Sequence, residues 1–418
     1  MDVSIFQILL KVVGGLGIFL LGMKHMSEGL QAISGDRLRK IISVATNNRF
    51  LGVGLGFLVT MLVQSSSVTT VMVVGFVNSS IMTLTQAIGV IFGANIGTTI
   101  TGWILVLNIG KWGLPILGFA SFFFLFSKKE NVRYLGMTIM GIGMVFFGLE
   151  LMKNGFKPLR SHEEFNAWFH AFQATSYLGI IKCALVGCIL TLIVQSSSAT
   201  LGITISLACA GVIEFQTAAA LVMGENIGTT ITALLASIGT NTNARRAAYA
   251  HFFFNVMGTV WFIALFPVAI RGLSHLIELK TGYDPLSVTI DQIAGILYPG
   301  LPSAPILADI TGNTVPLTEE GLMVQKKFEQ IITSGIALTH TSFNVANVVI
   351  FLPFVGVLAK FVTKICPEKE IQQRTHLKHL DVRMADSPSL GIIQSQAKIE
   401  HMANSVATMM VDLKTLLN

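Results

Sequence analysis

Apolar residues fill long windows of this chain, near 5–22, 84–107, 112–127, 134–152, 216–239, 249–270 and 328–359. Each predicts a helix long enough to cross about 30 Å of hydrocarbon at about 1.5 Å per residue. From Phe50 to Ser127 the only charged side chain is Lys111, and from Cys183 to Ala244 only Glu214 and Glu225. No soluble core needs such stretches, so the pattern predicts an all-α integral membrane protein. The run from Ile5 to Gly22 has no basic segment before it and no small-residue cleavage site after it. It reads as a retained first helix and not as a signal peptide.

Two stretches break the pattern. Around 51–77, the thirteen residues from Leu51 to Val63 reach about 20 Å before meeting Gln64-Ser65-Ser66-Ser67. Around 177–212 the same tetrapeptide, Gln195-Ser196-Ser197-Ser198, interrupts the run. Polar groups at mid-membrane depth must face protein or a water-filled cavity. Two re-entrant hairpins meet that demand; single spanning helices with serines bonded back to their own carbonyls are the rival. Loop charge separates them. The 24–49 segment carries Lys24, Arg37, Arg39, Lys40 and Arg49 and is expected on the cytoplasmic side. With hairpins, the Lys128, Lys129 and Arg133 loop and the Arg245-Arg246 loop fall on that side too. Lys153, Lys157 and Arg160 then lie outside, diluted by Glu150, Glu163 and Glu164.

The chain also repeats itself. Residues 64–107 align without gaps on 195–238, and 14 of the 44 positions are identical. Thirteen of these lie in Gln-Ser-Ser-Ser-x-Thr and in Gly-x-Asn-Ile-Gly-Thr-Thr-Ile-Thr, at 93–101 and 224–232. Three crossings separate the hairpins in this topology, so the repeats (about 51–107 and 177–239) are expected to be inverted, as in many secondary transporters. The expected fold is therefore an inverted-repeat transporter with two re-entrant hairpins and unwound transmembrane helices. It occupies residues 1–365.

Composition agrees: 52% of residues are hydrophobic and 12% charged, with a mean hydropathy of +0.69, against roughly a quarter charged in soluble domains. The net charge of +6 sits in loops, which reads as topology signal and argues against nucleic-acid binding. Cys183, Cys188, Cys209 and Cys366 form no C-x-x-C pair and predict neither a disulfide framework nor a metal centre. Beyond Cys366 the chain turns polar, and Ile392, Ala397, Ile399, Met402, Val406, Met409, Met410 and Leu413 give residues 366–418 an amphipathic helical stripe. Such a face needs a partner, so a truncated domain or a partner chain is expected.

The chemistry follows from the repeated motifs. Ser65, Ser66 and Ser67, like Ser196, Ser197 and Ser198, should open a helix, an end that attracts anions. In each second motif, two glycines flank Asn95 or Asn226, which predicts an unwound helix, with Thr98, Thr99, Thr229 and Thr230 supplying hydroxyls. Glu225 is the only ionisable group in either motif, and an intramembrane carboxylate is a functional hypothesis by default. His251 and Asn255, like His340 and Asn344, share a helical face one turn apart and are candidates to brace the site. The bland reading of each motif alone is helix packing; recurrence at fixed spacing favours a site.

Duplicated QSSS followed by G-x-N-I-G-T-T, with a downstream H-F-F-F-N, resembles the type II sodium-dependent phosphate cotransporter family over roughly residues 5–359. The resemblance implies sodium-coupled uptake of inorganic phosphate through the lipid bilayer, with QSSS at two hairpin tips. It places substrate and ion ligands at Gln64 to Ser67, Asn95 to Thr99, Gln195 to Ser198 and Asn226 to Thr230. Sodium is assigned to the oxygens of Gln64, Asn95, Gln195 and Asn226, and no other cofactor is implied. The tail resembles the start of the PhoU-like helical domain of bacterial members. The long extracellular insertion of animal members is absent, which implies a bacterial inner-membrane protein with a cytoplasmic C-terminus. Glu225 departs from the small residue often found there.

A physical argument points the same way. Neither repeat core holds Lys or Arg, and burying an unpaired anion costs several kcal/mol, so cations should travel with it. An intramembrane serine hydrolase is the enzyme alternative, but no G-x-S-x-G elbow occurs. A P-loop is excluded because Gly110-Lys111 precedes Trp112. Proton coupling, another oxyanion and a phosphate-sensing role remain as alternatives.

Overall fold

The computed structural model describes residues 5–43, 48–107, 109, 112–161, 172–298, 319–367 and scattered positions between 392 and 410. The described residues form helices and no strands. In chain order these are α1 (Ile5–Ser43), α2 (Arg49–Val63), α3 (Ser66–Asn78), α4 (Leu84–Val106), α5 (Gly113–Phe126), α6 (Glu130–Phe156), α7 (Tyr177–Val194), α8 (Ser197–Cys209), α9 (Phe215–Ala236), α10 (Thr242–Thr281), α11 (Ile290–Leu297), α12 (Glu319–Phe351) and α13 (Val355–Ile365). Among them, seven stretches are long and apolar enough to cross a membrane: Phe6–Ser34, Leu84–Val106, Glu130–Leu159, Tyr177–Val194, Phe215–Ala236, Thr242–Thr281 and Glu319–Ile365.

Local chemistry starts these helices where the sequence offers caps. Asn48, Ser176 and Asn241 accept backbone N–H groups at the starts of α2, α7 and α10, and Thr83 closes a capping box with Gln86 at the start of α4. The helices then sort into two groups. Helix α6 packs against both α1 and α5, while α2, α3, α4, α7, α8, α9, α10 and α12 form a second group that α1 and α6 also touch. Residues from α1, α6, α8, α9, α10 and α12 share the largest apolar core.

Close approach explains the glycines of the second group. A Cβ on Gly93 would overlap the Val53 carbonyl oxygen, and one on Gly56 the Val90 carbonyl, so α2 and α4 touch backbone to backbone. Gly224 against Ala184 and Gly187 against Leu221 do the same for α9 and α7. Small residues at such spacing permit close helix contact in membranes.

Four expectations change. The helices α4 and α9 run without a break through both G-x-N-I-G-T-T segments. Their glycines serve packing, and Asn95, Thr98, Asn226 and Thr229 bond back to carbonyls of their own helix, so nothing forces unwinding. The window at 112–127 holds only the 14-residue α5, about 21 Å long. At 18 residues α7 is itself long enough to cross. Finally, Lys153 belongs to no loop: it is 4% exposed inside α6 and forms ion pairs with Glu329 at 2.6 Å and Glu150 at 2.7 Å. Two residues of the C-terminal stripe, Ala397 and Leu413, lie outside the described residues; the other six, Ile392, Ile399, Met402, Val406, Met409 and Met410, are exposed.

Candidate functional site

Both tetrapeptides form the joint between two short helices, and both do so in the same way. Gln64 ends α2 with φ of 54°, and Gln195 ends α7 with φ of 55°, a left-handed conformation uncommon outside glycine and worth noting where function is suspected. Each is followed by an extended serine, Ser65 or Ser196, whose hydroxyl caps the next helix by accepting from Val68 N or Ala199 N. The chain then doubles back. Thr60 donates to Thr69 at 3.0 Å and Thr191 to Thr200 at 3.1 Å, where a continuous helix would separate such residues by about 13 Å.

This geometry leaves the first N–H groups of α3 and α8, at Ser66-Ser67 and Ser197-Ser198, without helical partners. Ser66 is 4% exposed, Ser197 8% and Ser198 7%. Each tip thus presents hydroxyls and N–H donors at the positive end of a helix, and neither tetrapeptide contains a lysine or arginine. That is an environment for a small anion.

The tips meet through a residue of the second motif. Thr101, the last threonine of the first G-x-N-I-G-T-T-I-T, donates to Gln64 Oε1 at 3.3 Å and lies 3.3 Å from the Ser198 hydroxyl. One threonine therefore joins the Gln of the first tip to a serine of the second. Thr98 and Thr229 are buried beside these elements, each donating to a carbonyl one turn earlier, Ala94 and Glu225. Thr99 and Thr230 donate to the carbonyls of Ile96 and Ile227. Gln64 is buried and its amide donates to the Met61 carbonyl at 2.6 Å, whereas Gln195 is exposed.

Asn95 and Asn226 use their amide N–H to bond Ile91 and Val222 carbonyls at 2.8 Å each. That bond fixes the amide orientation and leaves each Oδ1 as an acceptor without a donor. Glu225 is completely buried on α9 with neither carboxylate oxygen hydrogen-bonded; its counterpart in the first repeat is Ala94. His251 and Asn255 on α10, and His340 and Asn344 on α12, are also buried.

Sequence reasoning missed three features. Thr101 was visible as the end of the repeated motif, but not its reach to both tips. The Thr60–Thr69 and Thr191–Thr200 pairs carry the signal of equal spacing from each tetrapeptide. The Lys153–Glu150–Glu329 cluster, completed by Gln325 donating to Glu329 Oε1 at 2.9 Å, gave no signal beyond a charge at the end of an apolar window. A separate cavity, lined by Gln173, Glu214, Phe215, Thr217, Leu286 and Phe328 among others, opens at the far end of the second helix pair. No His, Cys, Asp or Glu cluster suited to a transition metal occurs among the described residues.

Comparison with known proteins finds relatives along most of the chain. The putative inorganic phosphate export protein YjbB of Salmonella typhimurium is 26% identical over 98% of this chain, which spans 65% of the length of that relative. An uncharacterized protein of Bacillus subtilis, YqeW, is 29% identical over 57% of this chain and 76% of its own. Human sodium-dependent phosphate transport protein 2B is 41% identical over 24% of this chain and 15% of its own. No solved structure matches. The family model described as Na+/Pi-cotransporter matches residues 18–154 and 159–277, and with those segments covering more than half of it, the chain belongs to the Na+/Pi-cotransporter family, a family of multi-pass membrane transporters and not of enzymes.

Proposed function

We propose that this protein couples sodium to the movement of inorganic phosphate across the bacterial inner membrane by alternating access. The observation that carries the reading is the convergence of both Gln-Ser-Ser-Ser tips on Thr101. Phosphate is held by Ser65, Ser66, Ser67, Ser196, Ser197 and Ser198 with the N–H groups behind them, and by Thr98, Thr99, Thr229 and Thr230 as their hydroxyls turn inward. Sodium is held by Gln64, Asn95, Gln195 and Asn226, which offer hard oxygen atoms. The two helix pairs act as re-entrant hairpins opening from opposite faces, and the repeats as inverted halves. The tail lies in the cytoplasm as the start of a PhoU-like domain that meets a partner chain.

Charge balance motivates the coupling. The site offers an anion only hydroxyls and helix ends, while Glu225, wholly buried nearby in sequence, adds negative charge when ionised. Cations must therefore enter with the anion or wait at the carboxylate. Uptake is the direction we assign; export is the second reading, favoured by the name of YjbB, the relative that aligns with 98% of this chain.

Proteoliposomes decide both points. An inward sodium gradient at equal pH should concentrate labelled phosphate, and Glu225→Gln should alter pH dependence without removing the sodium requirement. Accumulation driven by a pH gradient in sodium-free buffer, lost in Glu225→Gln, would make the protein a proton symporter. In intact cells, loss of the protein should slow phosphate uptake; slower release would establish export.

A further inference from the structure

Four buried amides in this protein share one arrangement. Asn95, Asn226, Asn255 and Asn344 each donate Nδ2 to the carbonyl one turn earlier, at Ile91, Val222, His251 and His340, over 2.8–3.0 Å. A carbonyl accepts only from the NH2 side, so all four amide oxygens point away from their own helix. Asn255 and Asn344 are 0% exposed, and their Oδ1 atoms have no partner.

Helix register puts these asparagines at matching levels on neighbouring helices. On α9 and α10, Thr259 donates to the Met223 carbonyl at 3.3 Å, and Ala233 packs in one cluster with Ala244, Ala247 and Ala248. The helices are therefore antiparallel, with residue numbers at one level adding to about 481. Asn255 then lies level with Asn226, and His251 with Thr230. On α4 and α12, Gly102 meets Ala337, Trp103 donates to Thr341 at 2.8 Å, and Phe92 shares a cluster with Val348. The same reasoning places Asn344 level with Asn95 and His340 level with Thr99. The correspondence repeats the 131-residue offset between the motifs, although α10 and α12 lie outside it.

Amide oxygens at one level cannot satisfy one another, since both only accept. The buried Asn255 and Asn344 oxygens have no donor, and a buried acceptor left unmet is costly. A hard cation meets both at once, because sodium takes oxygen ligands and requires neither proton nor thiolate. We propose that Asn255 and Asn344 complete two related sodium sites, one per repeat, opposite Asn226 and Asn95, with His251 and His340 closing each site one turn away. Neither ring nitrogen of either histidine has a partner. The inference rests on the sodium-coupled reading above and extends it to two helices that carry neither repeated motif.

The test uses the full chain in detergent and sodium alone as the probe. Sodium chloride should raise the thermal midpoint above that in potassium or choline chloride at equal ionic strength, without phosphate. Asn255→Ala and Asn344→Ala should each weaken that response and raise the half-saturating sodium concentration for phosphate transport about tenfold, with the half-saturating phosphate at saturating sodium changed less than twofold. Asn255→Asp and Asn344→Asp keep an outward oxygen but lose the amide N–H bond, so they should retain the sodium response; these variants also decide the matter if the alanine proteins fail to fold. An undiminished sodium response in folded alanine variants, or its loss in folded aspartate variants, would overturn the assignment. Absence of any sodium response in the wild-type protein, together with sodium-independent transport, would instead defeat the coupling on which it rests.

Discussion

The two Gln-Ser-Ser-Ser tips have identical sequences and near-identical backbones, yet they sit in different surroundings. At the first, Gln64 is buried and accepts from Thr101, which also touches Ser198 of the other tip. At the second, Gln195 is exposed, and Thr232, the counterpart of Thr101, donates to the Thr229 carbonyl of its own helix. Equivalent local chemistry thus occupies two tertiary arrangements: Thr101 engages the first tip through its glutamine and the second through a serine, and the glutamine of the second is left exposed.

The far ends of the helix pairs differ as well. Where α3 ends, Asn78 is bonded by Asn241, whose N donates to Asn78 Oδ1 and whose Nδ2 donates to the Asn78 carbonyl, each at 2.9 Å. Where α8 ends, Cys209 packs against Thr333 and the Glu329 backbone, beside the buried Lys153 ion pairs. One end is held by neutral amides, the other by charge. Removing the charge should have the largest effect of any single change: Lys153→Met leaves Glu329 and Glu150 without their cation, which is expected to cost about 3–5 kcal/mol. Asn241→Ala at the opposite end should cost about 1–2 kcal/mol as a lost cap and its bonds. Chemical denaturation in a fixed detergent compares them, and equal losses would erase the distinction.

Between these two in size are the glycine contacts. Gly93→Ala and Gly224→Ala each drive a methyl into backbone of the facing helix, where no rotamer change can yield, and about 1–3 kcal/mol should be lost from each. Thermal midpoints that stay at the wild-type value would show that these glycines serve something other than close approach. The smallest effect is the most informative about the tips. Thr101→Val removes the bridge between them, a loss of about 1 kcal/mol, so the half-saturating phosphate concentration should shift about fivefold. Thr232→Val should shift it less than twofold, and a reversed order would contradict the bridge through Thr101.

The sequence makes the helical class legible, because charge-free windows have few other solutions, and it makes the joints at Gln64 and Gln195 legible because four polar residues interrupt such windows. It misleads at Gly93, Gly97, Gly224 and Gly228. A glycine pair around an asparagine reads equally as a break or as a contact surface, and only the facing helices α2 and α7 resolve which. Lys153 shows the same limit: a lysine near the end of an apolar run is indistinguishable from a loop charge until Glu329, 176 residues away, is seen beside it. The bridge through Thr101 was equally out of reach, since its partners come from two different helix pairs.

The central claim is that the two tips together hold phosphate in a sodium-coupled site, and phosphate uptake into proteoliposomes under an inward sodium gradient tests it most directly. Wild-type protein should accumulate phosphate only with sodium. Ser66→Ala and Ser197→Ala should each raise the half-saturating phosphate concentration at fixed sodium, and the double variant should abolish accumulation. Accumulation without sodium, or unchanged kinetics in both serine variants, would contradict the account.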